Sequence, residues 1–98
     1  MEKKEIAQLK RKLLSLHQKL GKIGPVMRGS VVIIGTQNKQ PYFSMNKDKK
    51  TKLLYLGKKR EDTARQYVDN YKILLEIVDE MTLINMQLIK ENAIPSHD

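Results

Sequence analysis

KQPYFSMNKDKKTKLLYLGKKR, residues 39–60, decides the fold. YFSMN (42–46) and TKLLYL (51–56) read as strands, and KDKK between them is short enough for a tight antiparallel turn. The stretch holds eight Lys and Arg (Lys39, Lys47, Lys49, Lys50, Lys52, Lys58, Lys59, Arg60) against one acid, Asp48. It therefore raises a structural expectation and an electrostatic one together.

Upstream, SVVIIGT (30–36) has four consecutive β-branched apolar residues, which suit a strand covered on both faces. QNKQP joins it to the next strand, with Asn38 a candidate for positive φ. Linkers this short favour a three-stranded antiparallel meander over 30–56. Downstream, residues 59–92 read as one long helix, with Glu61 and Asp62 in its first turn and Asn92 and Pro95 ending it. Ala64, Tyr67, Tyr71, Leu74, Val78, Met81, Asn85 and Leu88 step by three and four, flanked by Val68, Leu75, Ile77, Ile84 and Ile89. Before the sheet, residues 2–20 carry a heptad seam of Ile6, Leu9, Leu13, Leu16 and Leu20, with Gly21 the candidate left-handed cap. The expected fold class is α+β: an N-terminal helix, a three-stranded antiparallel sheet, and a long C-terminal helix pairing antiparallel with the first. At about 1.5 Å per residue the second helix is roughly 50 Å long and the first roughly 28 Å, so the second has length to spare for covering the sheet. All 98 residues are expected to form one domain, with 93–98 a flexible tail.

Composition excludes several classes of function. There is no cysteine, and only His17 and His97 supply imidazole, so no zinc site or disulfide is expected. No stretch approaches the roughly 18 apolar residues of a membrane span. MEKKEIAQLKRKLL is charged throughout and does not read as a secretory signal, which places the chain in the cytoplasm. GKIGPVMRG lacks the Gly-Lys-Ser/Thr of a phosphate loop, and His17 has no evident acid or nucleophile beside it. No enzymatic activity, cofactor, metal or small-molecule substrate is expected.

Charge gives the positive signal. Residues 1–60 hold 16 Lys and Arg against 3 acids, and residues 61–98 hold 3 against 8. A basic part beside an acidic part points to a polyanion partner. Lys47, Lys49, Lys50 and Lys52, with Arg28, Lys39 and the helix-opening Lys58, Lys59 and Arg60, are the candidate phosphate contacts. Tyr42, Ser44 and Asn46 alternate onto one strand face and are the candidates for base edges or sugars. The plain alternative is that lysines keep a small sheet solvated and guard its edges. Nucleic acid, with duplex DNA foremost, is the expected partner. The alternative is a coiled-coil scaffold that self-associates as a homodimer through Tyr71, Leu74, Val78, Met81, Asn85 and Leu88, or docks on an acidic protein. The first helix is basic and leucine-rich but has no aromatic residue, so a membrane-surface role ranks below mutual burial with the second.

The runs LGKIGPVMRGSVVIIG, KQPYFSM and YVDNYKILLEIVDEMTLINMQLIK resemble, in order and spacing, a prokaryotic family known only as a domain of unknown function. The resemblance covers about Leu20 to Lys90 and implies the same order of elements without an activity. It departs at IIGTQNKQ, where that family usually carries a cysteine-rich stretch. YLGKKREDTARQY, after three strands, is also similar to the arm-type DNA-binding domains at the N-termini of tyrosine integrases. That likeness implies a sheet face entering the major groove.

Overall fold

The computed structural model describes residues 1–93. Five elements follow in the expected order: α1 (Lys3–Gly21), β1 (Ser30–Ile34), β2 (Gln40–Lys47), β3 (Lys50–Tyr55) and α2 (Gly57–Lys90). The described chain divides into two compact units, Gly24–Ile73 and Met1–Ile23 with the chain from Leu74 on. Each unit has its own apolar core, and α2 contributes its first half to one and its second half to the other. The tail expected at 93–98, with Pro95 and His97, lies beyond Ala93 outside the described residues.

The helical unit follows from two apolar stripes that cannot stay in water. Leu16, Ile77, Ile84 and Leu88 are buried, and Ile6, Leu9, Leu13, Leu20, Ile23 and Met81 pack around them. The α1 seam is the one its heptad predicts. The helices run antiparallel: the Met1 ammonium lies 3.4 Å from Glu91 Oε2 and Lys12 Nζ lies 3.9 Å from Glu80 Oε2, so positions rise along α1 as they fall along α2. Gly21 is not a left-handed cap. It is helical, and Lys22 ends the helix in the right-handed region at φ −97°. The last turn tightens instead, with Lys22 N donating to Lys19 O and Ile23 N to Leu20 O. This keeps Ile23 on the core.

The sheet unit is an antiparallel meander in the order β1-β2-β3. Its tight hairpin pairs Lys47 with Lys50 across a two-residue loop, Asp48 (φ 53°) and Lys49 (φ 63°). Two left-handed residues in succession give the turn whose twist matches a hairpin. In the other connection the positive φ belongs to Gly35 (133°), not to Asn38, and glycine is required there because a Cβ would lie 2.4 Å from Asn38 O. β1 is an edge strand and is not covered on both faces: Ile33 is 50% and Ile34 42% exposed. β-branching set its conformation, and strand order set its exposure.

One sheet face packs on the first half of α2, where Phe43 and Leu56 meet Ala64 and Val68, with Met27, Val31 and Met45 around them. Ala64 has no side chain beyond Cβ, which lets the helix come close. Gly29 serves the same packing: a Cβ there would stand 2.4 Å from Ser44 O and 2.6 Å from the Phe43 ring. The loop before β1 is pinned to the helix by Met27 N donating to Tyr67 O (3.1 Å) and Asn70 Nδ2 donating to Pro25 O (2.9 Å). α2 starts at Gly57 (φ 66°), two residues earlier than its pattern predicts, so Glu61 and Asp62 fall past the first turn, which contains no acid.

Candidate nucleic-acid interface

In an antiparallel sheet, residues directly opposite one another project from the same face. The register therefore sorts every strand side chain. Ser30, Ser44 and Leu53 form one rung, Val32, Tyr42 and Tyr55 the next, and Ile34–Gln40 and Asn46–Thr51 complete the set. These ten residues share the face away from Phe43, Val31 and Met45, the residues that pack on α2. None of the ten is charged. Side-chain contacts hold the face in shape. Tyr55 OH donates to Gln40 Oε1 (3.2 Å), Thr51 Oγ1 donates to Asn46 Oδ1 (2.7 Å), and the Tyr42 and Tyr55 rings meet edge to face at 5.4 Å.

Tyr42, Ser44 and Asn46 therefore lie on one face, as their alternation predicts, and Gln40, Thr51 and Tyr55 join them there. Thr51 and Tyr55 were missed because cross-strand register is invisible in a single strand's pattern, and Gln40 because β2 begins two residues before the expected strand. The lysines stand elsewhere. Lys47, Lys50 and Lys52 alternate onto the opposite face, at the hairpin end of the sheet, and Lys49 sits in the turn. Arg28 joins this group, its Nη2 donating to Asn46 O at 3.4 Å. Lys39 leads into β2 at the other end, where Lys58 and Lys59 open α2 and are exposed. The arrangement is an uncharged face with cations at both ends of its strands.

Arg60 departs from its expected role. Its Nε donates to Leu56 O (2.9 Å) and its Nη2 to Tyr55 O (3.0 Å). It fastens the corner between β3 and α2, so two of its donors are committed to backbone carbonyls. Among the described residues the ion pairs are Met1–Glu91, Lys12–Glu80 and Arg65–Glu61, and none involves a cation of the candidate interface. The sheet unit holds 11 Lys and Arg against 4 acids, and the described part of the helical unit holds 8 against 6. The division of charge is thus by unit and not at residue 60: the acids late in α2 belong with the basic α1.

The expected self-association face does not stay together. Leu88 is buried and Met81 packs against the α1–α2 core, while Leu74 and Tyr71 are half-buried. Val78 and Asn85 are exposed, and the neighbouring positions Ile77 and Ile84 are buried in their place. A shallow concavity of about 250 Å³ beside β1, lined by Gly29, Ser30, Val31, Arg65, Val68, Asp69 and Lys72, was also missed. The spacing of 65, 69 and 72 on one helix face was its only advance signal. Among the described residues no helix is long and apolar enough to cross a membrane, and no three His, Asp or Glu side chains cluster as metal ligands would. No protein-family model, curated protein or solved structure matches the chain.

Proposed function

We propose that this chain is a non-enzymatic nucleic-acid-binding module that takes duplex DNA on the outer face of its sheet. One observation carries this: ten uncharged residues form a continuous face, and cations that make no ion pair among the described residues stand at both ends of its strands. Three strands at roughly 4.8 Å spacing make a layer about 10 Å across, which fits a major groove about 12 Å wide. Gln40, Tyr42, Ser44, Asn46 and Thr51 offer donors and acceptors to base edges. Lys39, with Lys58 and Lys59 at the start of α2, and Lys49 in the turn stand at the two ends of the face for the phosphates, and Arg28, Lys47, Lys50 and Lys52, at the hairpin end and rooted on the opposite face, reach them around the sheet's edge. The similarity of pattern to arm-type integrase domains supports the same pose.

The test is fluorescence anisotropy of a labelled duplex at several salt concentrations. Six neutralised phosphates give a slope of log affinity on log salt near −5, or about a thousandfold loss between about 50 and 200 mM. Joint charge reversal of Lys49, Lys50 and Lys52 abolishes binding. No binding at about 50 mM salt, or binding indifferent to that reversal, removes the proposal.

A further inference from the structure

The two edges of the sheet are unlike. Pro41 settles which backbone groups face each of them. It has no N–H, and its carbonyl accepts from Leu56 N at 3.0 Å, on the β3 side of β2. Both polar groups of a strand residue point the same way, and that direction alternates along the strand. Gln40, Tyr42 and Ser44 therefore bond to Ile34, Val32 and Ser30, and Val31 and Ile33 turn their N–H and C=O groups outward. The same count turns the backbone groups of Thr51, Leu53 and Tyr55 out of β3. The β3 edge is guarded: Lys50 and Lys52 stand on it, and Arg60 Nη2 donates to the outward Tyr55 carbonyl at 3.0 Å. The β1 edge is bare. SVVII has no charged residue and no proline, and no hydrogen bond among the described residues reaches the outward groups of Val31 and Ile33. The hollow of about 250 Å³ beside Val31 separates this edge from Arg65, Val68 and Lys72 of α2 and leaves it open. Ile33 lies on the α2 side of the sheet and is still half-exposed.

We infer that β1 pairs antiparallel with β1 of a second copy, about a two-fold axis at Val32, joining two three-stranded sheets into one of six. The outward N–H and C=O groups select a strand as the occupant, since only extended backbone presents a matching row. Self-complementarity selects the chain's own β1. In this register Val31 faces Ile33 of the copy and Ile33 faces its Val31, so the outward groups of each copy are satisfied by the same groups of the other. Val32 faces Val32 at the axis and Ser30 faces Ile34, and no like charges meet because the strand has none. Ile33 of the copy comes beside Val31, against the hollow, and the exposed Ile33 and Ile34 gain apolar or small neighbours. The assembly then ends at two guarded β3 edges and closes as an isologous pair. A foreign peptide in the same place leaves its own far side as a new bare edge, and it is ordered from a flexible chain, whereas β1 is already extended. Arg65 and Lys72 stand among Glu61 and Asp69, which gives no field of one sign to recruit an acidic peptide. Six strands at roughly 4.8 Å spacing span about 24 Å, twice the roughly 12 Å of a major groove. A copy that enters a groove therefore enters alone, and the pairing is measured without DNA.

Sedimentation equilibrium of the full chain, from about 1 µM to about 1 mM, covers the weak range expected of an interface below about 1,200 Å². The expected mass at the upper end is twice the 11.4 kDa of the chain. Ile33→Pro deletes an N–H that only the second copy uses, once in each copy, and weakens the dimer at least about tenfold while circular dichroism is unchanged. Ile33→Lys does the same by charging the edge, and its side chain is already exposed in one copy. Leu53→Lys is the control: Leu53 is equally exposed (54%) but lies on the guarded edge, and its dimer is unchanged. The register is read by oxidation, since the chain has no cysteine of its own. Val32→Cys sets two thiols across the axis at a Cα separation of about 4.5 Å and cross-links, whereas Ile34→Cys sets them about 13 Å apart along the strands and does not. A wild-type chain that stays monomeric throughout overturns the inference, even if an unrelated extended peptide binds the edge. So does a Leu53→Lys variant as damaging as Ile33→Lys, or cross-linking as fast at Ile34→Cys as at Val32→Cys. DNA is absent from these measurements, so the two proposals stand or fall separately.

Discussion

Lys49→Gly separates the turn from the charge at the tip of the hairpin. Lys49 has φ 63°, a region in which a Cβ costs an L-residue roughly 1–2 kcal/mol. Glycine removes that strain but loses roughly 0.5–1 kcal/mol more chain entropy on folding. The difference predicts a gain of about 0.5–1 kcal/mol. Lys49 also sits between Lys47 and Lys50, a facing pair of like charges, so removing its cation relieves some repulsion of its own. Lys49→Ala isolates that part, because it drops the charge and keeps the Cβ. Urea unfolding then reads the order of stability: glycine above alanine by about 0.5–1 kcal/mol, with unchanged denaturant slopes. Glycine less stable than alanine would mean that residue 49 is not left-handed in solution, and the two-residue turn would have to be abandoned. In the DNA titration both variants lose one phosphate contact, and each salt slope shrinks by about 1.

Arg60→Gln is expected to destabilise the chain by about 1.5–3 kcal/mol, since it removes charged donors from the Leu56 and Tyr55 carbonyls, and to leave the salt slope of DNA binding unchanged. Unchanged stability with a slope smaller by about 1 would reassign Arg60 to a phosphate. Gly29→Ala is expected to destabilise by about 1–3 kcal/mol, because the new Cβ meets backbone at Ser44 O as well as the Phe43 ring. A neutral effect in thermal or urea unfolding would show that the loop before β1 gives way freely.

The legible part of this protein was local. The α1 seam at Ile6, Leu9, Leu13, Leu16 and Leu20 is the seam that packs, because a helix with one partner shows one periodicity. α2 misled at Val78 and Asn85 because one helix serves two cores. Ala64 and Val68 answer to the sheet and Ile77, Ile84 and Leu88 to α1, and no ladder of strictly alternating three- and four-residue steps passes through both sets. Arg60 misled for a related reason. A cation at a helix start reads as an anion site until the strand carbonyls beside it are in place.

For the sheet, alternation along β2 already put Tyr42, Ser44 and Asn46 together, since the side-chain period of a strand is two. It could not say which face meets the helix, that Thr51 and Tyr55 join that trio, or that β1 lies at an edge. Covalent spacing is enough to determine the type and order of the five elements, because helix and strand periods are properties of consecutive residues. Which lysines share a face with the apolar residues that pack on α2, and which β1 side chains stay exposed, depend on register and strand order, and those exist only once distant segments have paired.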